Sequence, residues 1–400
     1  MLTDPVNQNP LEQQMSKIPN EVKFCTRCVV SNQRPRIVFD NDGICSACRF
    51  AEYKYKKIDW KSREDAFKSL LDKYRKNDGT WDVLVPCSGG KDSSFVAHQL
   101  KHKYGMHPLT ITWAPFVYTD IGFKNFVSFK DAGFNNLMAW QNGIVHRKLA
   151  RVAFEELGDA WQPFAYGQMC YVLHLSINFG ITLIMFGENG EAEYGGDTAS
   201  NDKTQHDWNK WAMNYFKGIH AEKLVNFALE HKNYFKKIDF DPSDLTFYKL
   251  PDIGQLTKND VQFHWFGYYH KWVPQENYYY AQENTGFTAN PQRSEGTYSK
   301  YASLDDRLDG FHFYLAYIKF GIARATSDAA HEVRDGHLTR EEAVALVKRY
   351  DGEFPRLYFQ EFLDYLGIDE GYFNDVVDSW RRPNLWEKSG DIWKLKHQVS

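Results

Sequence analysis

No uninterrupted apolar run of about 18 residues occurs, so the sequence offers no hydropathy-defined transmembrane helix. The opening stretch, MLTDPVNQNPLEQQMSKIPNE, lacks the apolar core of a secretory signal, and residues 1–20 read as a flexible tail. Basic charge is not in excess: Lys and Arg total 48 against 52 Asp and Glu, which argues against a sequence-independent nucleic-acid binder. Cysteine is scarce. Six in 400 residues are too few for a disulfide scaffold, and with the missing leader they favour a reducing cytoplasm. Internal repeats and low-complexity segments are also missing. What remains is ordinary for a soluble protein, 43% hydrophobic and 25% charged, with a high aromatic share of 16%.

After the tail, a small cysteine-bearing unit spans residues 21–60. SREDAFKSLLDKYRKNDG predicts a helix, with Ser62 and Asp65 in a capping-box pattern. Strands are expected at WDVLVPC, HPLTITWAP, NNLMAW and ITLIMFG, and helices at DSSFVAHQLKHKYG, GFKNFVSFKDAG and VHRKLARVAFEELG. Apolar strands alternating with helices predict an α/β fold, an open parallel sheet covered on both faces, over residues 61–205. Residues 206–400 read as mainly helical and aromatic-rich. There SLDDRLDGFHFYLAYIKFG carries a start signal at Ser303 and Asp306 and a stop at Gly321. LTREEAVALVKRY starts in the same way at Thr339 and Glu342.

CTRC (Cys25, Cys28) and CSAC (Cys45, Cys48) form two C-x-x-C knuckles around VVSNQRPRIVFDNDGI, which predicts a hairpin turning at DNDG. Two knuckles closing a short loop suit a tetrahedral four-thiolate zinc site, with an iron–sulfur or redox role as the alternatives. Zinc can contribute about 10–16 kcal/mol to folding a unit too small for a core. Four protein thiolates leave no open position, so the expected zinc is structural rather than catalytic.

VPCSGGKDSS places Ser88, Gly89, Gly90, Lys91, Asp92, Ser93 and Ser94 between a buried strand and a helix. Open α/β sheets bind ligands at such strand ends. The glycines free backbone N–H groups for an anion, the helix start adds partial positive charge, and the serines and Lys91 add donors. Asp92 is odd beside phosphate unless it holds Mg²⁺ or caps the helix. SGG alone would be an ordinary glycine turn. The longer string resembles the PP-loop of the ATP pyrophosphatase superfamily, which implies an adenine nucleotide alpha hydrolase-like fold. It also implies ATP bound through its pyrophosphate half while the α-phosphate is attacked.

A zinc knuckle before a PP-loop is also similar to tRNA thiolation enzymes, the alternative reading. Their further cysteine set is missing, because only Cys87 and Cys170 remain, neither in a C-x-x-C. Over roughly residues 21–350 the chain instead resembles the N-acetyl sugar amidotransferases of bacterial surface-polysaccharide (LPS O-antigen) biosynthesis, of the PseA and WbpG type. The resemblance lies in CTRCV…GICSAC, VPCSGGKDSS, TITWAP, GENGEAEYGG, SEGTYSKYASLDD and YIKFGIARATSDAAHEVRDGHLTREEA. It implies an AMP-forming carbon–nitrogen ligase that adenylates the acetamido oxygen of an amino sugar, nucleotide-linked or free, and forms an acetamidino group with ammonia. The chain has no N-terminal cysteine, since Leu2 follows Met1, and GQMCY is not a glutaminase elbow. The resemblance therefore implies a glutaminase subunit and a cyclase-like subunit, similar to those of histidine biosynthesis, as the ammonia source. It implies no nucleic-acid partner. A zinc-bearing assembly subunit with an inactive loop is the non-enzyme alternative; the intact loop residues argue against it.

Further candidates are weaker. Trp113 and Ala114 end the second strand, where PP-loop enzymes contact adenine, or simply pack. Glu188, Asn189 and Glu191 could place a carboxylate pair for Mg²⁺ or ammonia, or be solvated loop groups. Gln168 could meet sugar hydroxyls or cap a helix. Cys87 and Cys170 read as small buried hydrophobes. Arg293, Glu295, Tyr298, Lys300, Lys319 and Arg324 could meet phosphates, although helix-end cations often serve only the dipole. YYHKWVPQENYYY could stack a sugar or uracil, with aromatic packing favoured, and His264 and His270 read as structural.

Overall fold

In the computed structural model, which describes residues 11–205, 208–239 and 241–400, five short strands form one parallel sheet. They are β1 (Val83–Pro86), β2 (Pro108–Trp113), β3 (Asn136–Ala139), β4 (Leu183–Phe186) and β5 (Gln262–Trp265), in the order β3-β2-β1-β4-β5. β1 and β2 are apolar runs because both faces are covered. Alternation still sorts the side chains. Leu84, Leu109 and Ile184 pack with the helices Gly143–Leu157 and Gln162–Phe179. Val83, Val85, Leu183 and Met185 face Phe67, Val96 and Phe129 from the helices Trp60–Tyr74, Lys91–His98 and Asp120–Asp131. The chain runs outward from β1 to β3 and then crosses back to β4 on the opposite side of β1. That reversal opens a crevice beyond the carboxyl ends of β1 and β4.

Several expectations meet their counterparts. Gly158 and Gly321 end helices in left-handed conformations, Thr339 and Glu342 form a capping box, and the Asp40–Gly43 turn closes a hairpin through the Phe39–Cys45 bridge. Others shift. The helix expected to start at Ser62 begins at Trp60, with Asp59 accepting from the Lys61 and Ser62 amides. The helix expected from Ser303 begins at Asp309; Ser303 itself has φ +54°, outside any helix.

The fifth strand comes from the aromatic segment beyond residue 205, so the sheet draws on more of the chain than the four expected strands. Residues 1–10 of the expected tail lie outside the described residues. Residues 11–20 are anchored rather than loose, since Leu11 and Met15 are buried and Glu12 pairs with Lys319. The C-terminal region is helical, with a core around Phe311, Phe362 and Phe373 and a short antiparallel pair, β6 (Trp386–Ser389) and β7 (Ile392–Leu395). Its helices Arg324–Asp335 and Arg340–Tyr350 hold the cysteine unit through Ala329, Ala330, Ala343 and Val347.

Candidate active site and four-cysteine centre

The SGGKDS string leaves β1 and enters the Lys91–His98 helix, with Gly90 as the uncapped residue before it. Gly89 has φ +83°, and a β-carbon there would come within 2.6 Å of Phe126 Cα, so only glycine fits. Ser88 Oγ accepts from the Gly90 amide at 3.4 Å, and Ser93 Oγ donates to the Gly90 carbonyl at 3.2 Å. Lys91 pairs with Asp92, whose second oxygen accepts from Asn277 Nδ2 at 3.0 Å. Ser94 Oγ is buried without a partner, behind the loop rather than in the opening.

Two connected cavities meet at this loop. One, of about 270 Å³, is bounded by Ser88 to Ser93, Asn125, Tyr301, Asp305 and Arg324. The other, of about 540 Å³, is walled by Trp113, Trp161, Phe164, Gln168, Tyr171 and Trp265 and reaches Asp92, Glu188, Asp305 and Asp309. Ser88, Asp92, Ser93, Asp305 and Arg324 border both. Burial and the neighbouring Asp92 push Glu188 up to about 7. Burial and Asp309 push Asp305 up to about 6. Arg324 supplies the opposing charge, lying 3.0 Å from Asp328 and over the Phe313 ring.

This donor set fits a hydrated divalent cation. Mg²⁺ uses one or two carboxylates together with phosphate oxygens and water, and here Asp92, Glu188 and Asp305 face a phosphate-sized opening. Among the described residues these carboxylates do not converge tightly enough to cage an ion unaided.

The expected pair of Glu188 and Glu191 is split. Glu188 faces the cavity, but Glu191 is gripped by the Arg36 guanidinium and accepts from the Asp197 amide. The cause is local: Asn189 caps the Gly190–Tyr194 helix, with its side chain accepting from the Glu191 amide, and the helix turns Glu191 away. Asn189 is thus a structural cap. Trp113 lines the larger cavity, whereas Ala114 is sealed in, its N–H donating to Ala139 and its carbonyl accepting from Gln141. Gln168 is mid-helix and faces the cavity, so it caps nothing.

Of the six candidates for phosphate contact only Arg324 borders the cavities. Arg293 pairs with Glu353, Lys319 with Glu12, and Glu295 accepts from the Arg356 and Leu357 amides. Tyr298 packs with the cysteine unit, while Lys300 is exposed; neither borders the cavities. Cys87 lines the larger cavity with its thiol pushed up by burial to about 11, and Cys170 is buried within its helix. His264 and His270 bond the Tyr269 and Tyr104 hydroxyls, as structural histidines do. In the aromatic stretch Trp272 is buried at the wall of the larger cavity, while Asn277 holds Asp92. Asp305 was invisible as a site residue because SLDD reads as a helix start, and Asp309 because it reads as an ordinary residue of that same helix.

The four knuckle sulfurs lie within 4.8 Å of one another, with Cys25–Cys48 at 3.8 Å and Cys28–Cys45 at 3.7 Å. Ligand distances of about 2.3 Å in a tetrahedron give sulfur separations of about 3.8 Å. The set could hold a single metal ion and is too tight to enclose a multi-iron cluster. The Arg27, Cys28 and Cys45 amides donate to Cys25 Sγ at 3.3–3.5 Å, which fixes the knuckle.

Residues 295–400 match the family model described as LPS biosynthesis protein WbpG-like, C-terminal domain. Residues 295–400 are WbpG-like. This WbpG-like region supplies Tyr301, Asp305, Asp309 and Arg324 to the loop's cavities. No curated protein sequence matches the chain. Among solved structures, an NH3-dependent NAD synthetase from Campylobacter jejuni is 15% identical, covering 50% of this chain and 95% of its own, with a TM-score of 0.26. A U34-tRNA thiolase, NcsA, from Methanococcus maripaludis with its [4Fe-4S] cluster is also 15% identical, covering 78% and 86%, with the same TM-score of 0.26. Among the described residues no helix is long and apolar enough to cross a membrane.

Proposed function

We propose that the chain is an AMP-forming amidotransferase of surface-polysaccharide biosynthesis that turns an acetamido sugar into its acetamidino form. One observation carries the reading: Asp305, Asp309 and Arg324 of the WbpG-like region wall the same cavities as the Ser88–Ser93 loop. The loop would hold the β- and γ-phosphates of ATP, and the aromatic cavity would take adenine and the sugar. The acetamido oxygen attacks the α-phosphorus, the bond to the bridging oxygen breaks, and pyrophosphate leaves. The amide N–H proton is lost, giving an imidate joined to AMP. Ammonia adds to its carbon, a proton passes to Glu188 or water, and AMP departs with the former acetamido oxygen. Magnesium, held by Asp92 with Asp305, would neutralise charge on the phosphates. Arg324 is placed to stabilise the same developing charge.

Ammonia would come from a partner glutaminase through a cyclase-like subunit; the purified chain should use ammonium but not glutamine. The knuckle ion would be structural zinc. Sulfur transfer finds no support in Cys87 or Cys170, both buried with thiols pushed up. The deciding experiment incubates the chain with ATP, ammonium and acetamido sugars carrying ¹⁸O in the acetamido group. Expected are the small mass decrease of the sugar as oxygen becomes NH and ¹⁸O in AMP. AMP formed without the label, or only with tRNA, would refute the reading.

A further inference from the structure

Behind Tyr215, which borders the larger cavity, lies an adjoining cavity of about 320 Å³ between the loop joining the cysteine pairs and the Asp309–Phe320 helix. Four cations edge it. Three have carboxylate partners: Arg36 with Glu191, Lys217 with Asp159, and Lys319 with Glu12. The fourth, Arg34, makes no side-chain hydrogen bond or ion pair among the described residues, and its Nε is closed off from solvent. Its guanidinium lies over the Tyr194 ring at 5.5 Å, and the carboxylate that most favours its charge, Glu191, is already engaged at both oxygens by Arg36. Burial accordingly pulls Arg34 down to about 10. The Asn214 amide nitrogen, also buried and without a partner, borders the same space.

A guanidinium and an amide N–H can only donate, so their complement is an acceptor-rich anion. The guanidinium fork matches the two oxygens of a carboxylate or phosphate. The volume lies in the range of small-molecule sites. We propose that this cavity is an oxyanion subsite in which Arg34 grips a carboxylate or phosphate group of the acceptor while its acetamido group lies beyond Tyr215 in the loop's cavity. The identification of the ligand as the acceptor rests on the function proposed above; the anion site itself does not.

The test is calorimetric titration of the full chain, with the loop filled by a non-hydrolysable ATP analogue and Mg²⁺. Inorganic phosphate, glucuronate and UDP serve as probes. At least one should bind, and Arg34→Gln should weaken it roughly tenfold or more, with Arg34→Lys recovering part of the loss. Glucuronate as the best probe points to an acidic sugar, and UDP or phosphate to a sugar phosphate or nucleotide sugar. Binding by none of the three, or equal binding by Arg34→Gln, overturns the proposal. Should that variant not fold, the wild type still decides: the bound probe should shield Arg34 from phenylglyoxal, and unshielded modification overturns it. Binding that persists while no acetamidino product forms would refute the reaction and leave the subsite standing.

Discussion

The ammonium of Lys54 lies 2.9 Å from the carboxylate of Glu193, and water reaches almost nothing of either side chain. Lys54 lies in the last turn of the helix Ser46–Lys56, which starts within the second cysteine pair, and Glu193 sits on the short helix after Glu188. Lys54 also donates to the carbonyl of Trp272 at 3.0 Å, which borders the larger cavity. The pair therefore ties the cysteine unit to the wall of the candidate site. Removing one partner of a buried pair strands the other charge, so Lys54→Met should cost about 3–5 kcal/mol in urea unfolding. Lys23→Met, at the exposed pair with Glu21, should stay within about 0.5 kcal/mol.

The same pair sets an acid limit. Burial would raise Glu193, but Lys54 and His331 hold it down to about 2. A carboxyl lowered in the fold contributes stability above its unfolded value near 4.5, and loses it as pH falls toward 2. Unfolding midpoints of the wild type should fall across that window, and those of Glu193→Gln should fall less. Equal slopes would show that Glu193 does not govern acid stability.

Gly89 tests the loop. Alanine there must take a left-handed φ and meet the backbone of Phe126, a neighbour that cannot rotate away. Gly89→Ala should lose at least about tenfold in pyrophosphate release, because a displacement of even 1 Å at a phosphate grip is costly. Gly79→Ala, where a β-carbon meets nothing within 4 Å, is the control for left-handed strain alone. Matching losses in both would remove the argument from the loop's geometry.

The parts of this site that could be read in advance are those whose chemistry is local. Ser88 to Ser93 and the four cysteines announce themselves because strand, glycines and ligand spacing occupy a few consecutive residues. The first four strands were legible as apolar runs. β5 was not, because the alternation of Gln262–Trp265 lasts only four residues and is lost among the flanking aromatic side chains. Glu191 misled because a helix cap at Asn189 rotates it toward Arg36, a residue 155 positions earlier. Asp305 and Arg34 need the tertiary fold altogether: each matters for what it faces across the chain.

The cysteine centre predicts a composition and a consequence. Elemental analysis should find about one zinc per chain, and none in Cys25→Ser. The unit's few apolar side chains lean on Ala329, Ala330, Ala343 and Val347, a small core for holding Arg36 and Lys54 in place. Stripping the metal with a chelator should therefore lower the Tm by several degrees and release the unit to proteolysis before the sheet unfolds. An unchanged Tm in metal-free protein would reduce the site to an ornament of the fold.

Glu188 offers the sharpest test of mechanism, because its environment fixes a sign. Burial and Asp92 raise it to about 7, so near neutral pH it exchanges between a proton-holding and a proton-accepting form. If it takes the proton released as ammonia adds, kcat should rise with pH through that value and level off above it. Glu188→Gln should lower kcat roughly 10²–10⁴-fold and abolish the rising limb. Asp92→Asn removes the neighbouring negative charge, which eases ionisation of Glu188, so the limb should move to lower pH even as turnover falls. Stability should run the other way: a carboxyl raised in the fold binds its proton more tightly there, and the fold loses stability as pH climbs from about 4.5 to about 7. A limb that stays in place in Asp92→Asn would show that the rate reports another group, and that Glu188 only completes the wall.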